Sequence, residues 1–594
     1  PPGQRPALRA RLAAIASAAG MAVCGAGCMG FVNTARGLRA VGYIEPDPLP
    51  RGPVALVTNS GSVFSALLRT RRALGFTLAV SSGQELVTGA GQYAGYALSM
   101  EGTRVLALVL EALREPGRMR AVLADAAARD IPVVLLTAGS TARGRAMVAA
   151  HSGALAAADG GWEALARAYG VHRVRDLAEM TDTLELFAAG RRAPRAPAPG
   201  TGIATVHDSG LERAHVADVA DELGVPFAAI GQPTLDRLAG LLDPGLEPGN
   251  PLDVWGTGAD AQDQLAGALA ALAADPAVAA VALAVDLVTE FDSDDSYPLA
   301  VLDAAAGTPK PVAVLSNVPG AIDPGTAARL RTAGVPVLEG TRTGLLALRH
   351  LLDHVGRPAA PDGGPPPADP ARRERWAEVI TAGAAHGATL FRLLADYGIR
   401  CAQARAARSV DEALAAAGAI GYPVVLKTDE PGIGHKSDAG GVLLGIRDPA
   451  GLRSGYARLA ARLGPRVLVC ETIPPGVELS AGLARDPGLG PLLVVGAGGV
   501  LVELLADRVV ALPPVSPGQA VQLLAGLRAA RLLGGVRGQP PADHGAVAAA
   551  IASVSQLAVE LGDVLEALDI NPLICGPGGA VAVDALAVPR RAAG

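Results

Sequence analysis

Pro53-Val54-Ala55-Leu56-Val57-Thr58 runs into Asn59-Ser60-Gly61-Ser62 and then into VFSALLRTRRALG. Six uncharged residues suit a strand covered on both faces. Four small residues make a tight turn, and the apolar run after them begins a helix. A serine ahead of that helix can accept from its first-turn amides. The open N–H groups and the macrodipole at the same point attract an anion. Strand, small polar turn and helix form the unit from which a parallel sheet with helices on both faces is built.

The unit repeats outward from residue 53. FTLAVSSG, VLALVL followed by Glu111, and IPVVLLTAG are further strands separated by helical stretches. They predict a doubly wound parallel sheet over 51–190, with functional groups gathered at the carboxyl ends of its strands. Ser60, Glu111 and the turn before His151 all fall at that edge. Taken singly, Ser60 also reads as an N-cap and Glu111 as a solvated carboxylate at a helix start. RRAPRAPAPG (191–200) is a linker. A second sheet follows over 201–356: GIATVHD leads into Ser209-Gly210 and a long helix, with AVAAVALAVD, KPVAVLSN and VPVLEGT as later strands. Asn250-Pro251-Leu252-Asp253 is a turn between elements. Residues 1–50 read as a helix (Ala7 to Ala19), a strand (Met21 to Cys24) and a Gly-rich turn, either the tail of a nucleotide-binding unit or an arm packed on the next domain.

Residues 357–385, opening with RPAAPDGGPPPADPAR, read as a second linker, and the pattern changes over 386–590. YPVVLKTD, GIGHKSDAGGV, LVCETIP, VELSAGLA, LLVVGAGGVLVELLAD, ALDINPLIC and AVAVDALAV alternate strands with Gly-rich loops. Lys427 ends a buried strand, where its ammonium can reach a nucleotide phosphate or simply snorkel. Glu471 follows an apolar strand, where its backbone neighbours could meet an adenine. Asp569, Asn571 and Asp584 are hard oxygen donors of the kind Mg²⁺ shares with substrate phosphates.

Composition narrows the classes. At 594 residues the chain is too long for one core, and half of it is hydrophobic with only 3% aromatics, so aliphatics and alanine fill the interior. A net charge of −6 gives no footprint for nucleic acid. Five cysteines (Cys24, Cys28, Cys401, Cys470, Cys575) form neither a metal nor a disulfide framework, which predicts a reducing compartment, the cytoplasm. No run of about 18 uninterrupted apolar residues predicts a membrane span.

The chemistry centres on Val148-Ala149-Ala150-His151-Ser152-Gly153-Ala154-Leu155. An imidazole beside a helix start can act as a nucleophile near neutral pH and carry a transferred phosphoryl group, or it can be a helix-end histidine without a role. His435, in the loop GIGHKSDAGG, has the same two readings.

These motifs together resemble the NDP-forming acyl-CoA synthetases, the superfamily of ADP-forming acetate–CoA ligase and succinyl-CoA synthetase. TNSGS at 58–62 resembles the family's S-Q-S-G helix start, and AHSGAL at 150–155 its phosphohistidine loop. NPLD at 250–253 resembles its NP-x-D turn; GYPVVLK, HKSDAGGV, GGVLVE and LDINPL resemble its ATP-grasp half. The resemblance implies two tandem flavodoxin-like sheets followed by an ATP-grasp domain, with residues 1–50 as the remnant of a CoA-binding Rossmann domain, most of which would be missing. It implies that His151 is phosphorylated, that Glu111 orients it, and that Ser60, Gly61, Ser62, Ser209 and Gly210 start the helices that stabilise the phosphate. Lys427 and Glu471 would hold ATP, Asp569, Asn571 and Asp584 would hold Mg²⁺, and His435 would relay phosphate. A carboxylic acid and CoA would be joined through an acyl phosphate, with ADP released and no nucleic acid or membrane involved. A homo-oligomer or a separate CoA-binding subunit would complete the enzyme.

Three departures from the family pattern stand out: Gly25-Ala26-Gly27-Cys28 replaces G-P-N-C, Thr137 replaces a lysine, and Ala567 replaces a glutamate. Two alternatives follow. One is a nucleotide-binding relative that makes no thioester because its CoA-binding domain is incomplete. The other is an ATP-grasp carboxylate–amine ligase, which would be indifferent to loss of His151.

Overall fold

The computed structural model describes residues 5–45, 48–72, 74–144, 146–147, 159–194, 200–257, 260–355, 368–433, 436–499, 507–536, 538 and 540–590. His151, His435 and their immediate neighbours lie outside the described residues. The chain divides into two compact units, residues 1–156 with 169–358, and residues 157–168 with 359–594.

The first unit holds two sheets. In the first sheet, β1 (Gly30–Asn33) and β2 (Leu38–Val41) form a hairpin, followed by β3 (Arg51–Thr58), β4 (Phe76–Ser81), β5 (Val105–Leu110), β6 (Val133–Thr137) and β7 (His172–Val174), in the order β2-β1-β4-β3-β5-β6-β7. The five strands from β3 onward run parallel, as the uncharged runs predict. Leu56, Val57, Leu106 and Val134 are fully buried between helices on both faces.

The expected boundary at residue 50 falls inside this sheet, because β1 pairs antiparallel with β4. The expected strand Met21 to Cys24 does not form: that stretch is irregular, and the carbonyls of Gly25 and Ala26 instead accept from Leu86 and Gln84. Four apolar residues with no neighbouring strand to pair with cannot make a ladder.

The second sheet contains β8 (Gly202–His207), β9 (Leu252–Asp253), β10 (Val278–Ala284), β11 (Val312–Ser316) and β12 (Val337–Glu339), in the order β12-β11-β10-β8-β9 and parallel throughout. Every side chain of β10 is buried. A charge network joins the two sheet domains. Glu185, on helix Leu177–Ala188, accepts from Arg331 Nε at 2.8 Å and from the Val337 amide at 2.7 Å. Arg72 reaches Asp182 at 2.5 Å and Glu339 at 3.2 Å. Five carboxylate-to-guanidinium contacts with Arg331 and Arg72 nearly buried fix one register between the domains, since each charge is held by partners on both sides.

The second unit has the two sheets of an ATP-grasp fold. A four-stranded sheet, order β13-β16-β14-β15, contains β13 (Ala404–Ala407), β14 (Val424–Thr428), β15 (Val442–Ile446) and β16 (Val467–Glu471). A larger sheet contains β17 (Val477–Asp486), β18 (Gly490–Ala497), β19 (Arg508–Ala511), β20 (Leu565–Gly576), β21 (Gly579–Ala582) and β22 (Ala585–Pro589). Both are antiparallel. Helix His544–Leu561 has the length and apolarity of a membrane span, but Val547, Ile551, Val554 and Leu557 are buried in the core over the larger sheet.

Helix Pro370–Thr381 lies inside the stretch expected to be a linker, and its Trp376 and Ile380 belong to the same core. Helix Asp159–Tyr169, which follows the His151 loop in sequence, also packs on this unit: a side chain on Gly161 would meet Leu489 at 2.9 Å and Asp486 at 3.2 Å.

Candidate functional site

At the carboxyl edge of the first sheet, Ser60 caps helix Gly61–Leu68 by accepting from the Val63 amide at 3.3 Å. No acidic residue lies in that helix's first turn. Ser60 and Gly61 are half-buried and Ser62 is exposed. Gly61 is a steric requirement, because an added Cβ would stand 2.6 Å from Met29 Cγ. An eight-residue helix opening onto solvent with no carboxylate in its own first turn suits a phosphoryl group.

Glu111 comes to the same edge, one strand away. Its amide donates to Asn59 Oδ1 at 2.9 Å. The Asn59 Nδ2 donates to Glu85 Oε1 at 2.7 Å, and the Ser82 hydroxyl donates to the same oxygen at 2.8 Å. Burial pushes the Glu85 carboxyl above its usual range, against the hydrogen bonds from Ser82 and Asn59. The structure thus places Ser60, Gly61, Ser62 and Glu111 together and adds Asn59, Ser82 and Glu85.

The second expected helix start has the opposite electrostatic character. Ser209 caps helix Gly210–Leu223 by accepting from the Glu212 amide at 3.4 Å. Asp208 precedes it, Glu212 is in its first turn, and a side chain on Gly210 would meet Asp253 Oδ2 at 3.0 Å. Burial and the neighbouring Asp286 and Asp208 raise the Glu212 carboxyl above its usual range. The acidic groups around Ser209 and Gly210 set this helix start apart from the one at Ser60.

His207, at the end of β8, is wholly buried; its Nε2 lies 2.7 Å from Thr205 Oγ1, and its Nδ1 has no partner among the described residues. Burial, with the Arg213 charge adding to it, lowers its pKa to about 4. The unfolded imidazole takes up a proton below about 6.5, and the folded one does so only near 4, so protonation favours the unfolded chain between those values. Stability from this group is complete above about pH 6.5 and is lost toward pH 4, by about 3 kcal/mol. Denaturant midpoints measured across that range are expected to fall for the wild type and to fall less for His207→Gln.

In the ATP-grasp unit, Lys427 is the penultimate residue of β14, with only 7% exposure. Its Nζ donates to the Val583 carbonyl at 2.6 Å and lies 3.3 Å from Asp584 Oδ2. Lys436 Nζ holds the other oxygen of Asp584 at 2.7 Å. Lys436 was not singled out in the sequence, although the motif HKSDAGGV contains it. Two ammonium groups converging on one carboxylate form a cationic pocket able to meet a polyphosphate.

Asp569 and Asn571 sit two apart on β20, and the Asn571 amide donates to the Asp584 carbonyl at 3.2 Å. Asn571 Oδ1 accepts from the Gly499 amide at 2.9 Å. Gly499 has φ +63°, a left-handed conformation that favours glycine. These three are oxygen donors of the class Mg²⁺ takes, but here both Asp584 oxygens are held by Lys427 and Lys436, and Asn571 Oδ1 is held by the Gly499 amide. They do not form a closed protein cage, and no cluster of three His, Cys, Asp or Glu able to hold a metal occurs among the described residues.

Glu471 is partly committed elsewhere, since its Oε2 accepts from the Gln403 amide at 3.1 Å, tying β16 to the segment before β13. What remains for adenine is the chain after it, where the buried Thr472 hydroxyl has no partner among the described residues. Cys401, Cys470 and Cys575 are kept as thiols by burial, with pKa values pushed up to about 12, 11 and 12.

Two domain families match the chain: a succinyl-CoA ligase like flavodoxin domain over residues 51–187 and an ATP-grasp domain over residues 383–588. Among similar proteins, an ADP-forming acetate–CoA ligase I from Archaeoglobus fulgidus is 29% identical over 97% of this chain and 83% of its own length. The trans-feruloyl-CoA synthase FCS1 from an unknown prokaryotic organism is 28% identical over 98% of this chain and 83% of its own length. The beta subunit of ADP-forming acetate–CoA ligase I from Pyrococcus furiosus is 36% identical over 32% of this chain and 84% of that subunit. The chain belongs to the ADP-forming acyl-CoA synthetase family.

Proposed function

We propose that this protein joins a carboxylic acid to CoA, using ATP and releasing ADP and phosphate, with His151 as the phosphoryl carrier. The carrying observation is that one chain holds both halves of the machinery. One half is the helix start at Ser60, near Glu111; the other is the partly buried Lys427–Asp584–Lys436 cluster.

His151 would accept the γ-phosphoryl group of ATP, held by Lys427 and Lys436, and ADP would leave. The phosphoryl group would then pass to the substrate carboxylate, giving an acyl phosphate and freeing the imidazole. The CoA thiolate would attack the acyl carbon, forming the thioester and expelling phosphate. Glu111 would orient the imidazole, and Ser60, Gly61 and Ser62 would neutralise the phosphoryl oxygens through the helix start. Asp569, Asn571 and Asp584 would hold Mg²⁺, which supplies charge neutralisation to the nucleotide phosphates. His435 is proposed as the relay, and Glu471 as part of the adenine-side strand.

The Pyrococcus furiosus relative is a separate subunit, which supports a division of labour between polypeptides in this family. Assembly with a second polypeptide is proposed on that ground. The five free thiols support a reducing, cytoplasmic setting.

The test is a product analysis with ATP, Mg²⁺, CoA and a panel of short-chain and aromatic acids. ADP and phosphate are expected in step with the loss of free CoA thiol. Release of AMP and pyrophosphate, or acid-dependent ATP use without thiol loss, would contradict the reading.

A further inference from the structure

We propose that Glu85 is a positioning residue for phosphoryl transfer, acting through Asn59 on Glu111; this rests on the reading of Glu111 as the group that orients His151. The three residues follow the ends of neighbouring strands β4, β3 and β5. Glu85 is 6% exposed with φ +52°, a left-handed conformation uncommon for a side chain of its size.

Its Oε1 takes two hydrogen bonds, from Ser82 Oγ and from Asn59 Nδ2. Asn59 Nδ2 also lies 3.4 Å from the Gly83 carbonyl, so the acceptors lie on the Nδ2 side of this amide. On its other side the Glu111 amide can only donate, and it meets Oδ1. The arrangement therefore fixes which way the Asn59 amide faces. Asn59 also donates its backbone amide to the Val109 carbonyl at 3.0 Å, so both ends of the residue clamp the segment leading to Glu111.

Asn59 Nδ2 also lies 3.0 Å from Ser82 Oγ, whose hydroxyl donates to the same Glu85 oxygen, so without Glu85 the amide keeps only neutral acceptors, Ser82 and the Gly83 carbonyl. The Glu111 backbone then loses a fixed acceptor, and its carboxylate loses a fixed origin. Misplacement by about 1 Å at a reacting centre can cost about 100-fold in rate.

The experiment compares wild type, Glu85→Ala, Glu85→Gln, Asn59→Ala and the Glu85→Ala/Asn59→Ala double variant. It reads the rate of acid-labile phosphoenzyme formation from γ-³²P-ATP, the KM for ATP, and the melting temperature. Glu85→Ala and Asn59→Ala are each expected to slow labelling by about 10- to 100-fold with the KM for ATP unchanged. Glu85→Gln keeps an oxygen where Asn59 and Ser82 need one, so it is expected to recover most of the rate lost in Glu85→Ala. The double variant is expected to be no slower than the slower single one, because both changes break one chain of contacts.

A labelled wild type with unchanged labelling in Glu85→Ala and Asn59→Ala would overturn the proposal alone. So would a Gln variant as slow as the Ala variant, or effects that multiply. A wild type that takes up no label would overturn the phosphohistidine reading beneath it. Should Glu85→Ala fail to fold, Asn59→Ala and Glu85→Gln still carry the comparison.

Discussion

His151→Ala is expected to take up no acid-labile phosphate from ATP and to lose thioester synthesis by at least about 10⁴-fold, the scale on which deleting an enzyme's nucleophile acts. An N–P bond to imidazole is cleaved by acid and survives base, so the same protein quenched at both pH values identifies the carrier chemically. The variant should melt like wild type if, as the helix start at Ser60–Ser62 and the Glu111 edge suggest, the sheet is built without help from that imidazole. ATP binding should also persist, because Lys427 and Lys436 belong to the ATP-grasp unit. Loss of synthesis with retained ATP binding separates a missing carrier from a collapsed fold. A carboxylate–amine ligase working through a free acyl phosphate would instead be indifferent to the change.

Lys427→Met is expected to lower kcat/KM for ATP by about 100- to 1,000-fold, the cost of removing one preorganised charge from developing phosphoryl charge. Methionine keeps the unbranched stem that lies buried at the end of β14 and removes only the ammonium. Asp584 would keep Lys436, so the pocket would hold one cation in place of two. Lys427→Arg is not a rescue: a guanidinium cannot occupy the space between Val583 and Asp584 that a point charge fills at 2.6 and 3.3 Å. Measuring phosphoenzyme formation against ATP concentration separates weakened binding from slowed transfer.

The parallel sheets were legible because uncharged strands buried on both faces leave an unmistakable run of aliphatics, as at Val54–Thr58 and Val278–Ala284. The carboxyl edge followed from the same logic, which is why Ser60 and Glu111 were found together. Glu85 escaped because its role is conferred by burial and by Asn59, and neither is written in the local pattern of VSSGQE. The hairpin Gly30–Val41 escaped because two four-residue strands carry too little periodicity, and its place is set by pairing with β4.

Helix Pro370–Thr381 was hidden inside a Pro- and Gly-rich frame, although Asp369-Pro370 is a good helix start and Asp369 does accept from the Arg372 amide. The electrostatic surroundings of the second helix start were not legible in the sequence. Ser209-Gly210 has the right shape, and only the folded chain shows Asp253 and Asp286 brought up beside Asp208 and Glu212.

The most direct measurement is ³¹P NMR with peptide mapping of the full chain after incubation with Mg²⁺ and ATP at neutral pH. The account predicts one phosphorus signal in the phosphoramidate region, on the peptide containing His151, discharged by adding the acid substrate with CoA. A chain that turns over ATP and forms thioester while that peptide stays unmodified would contradict it.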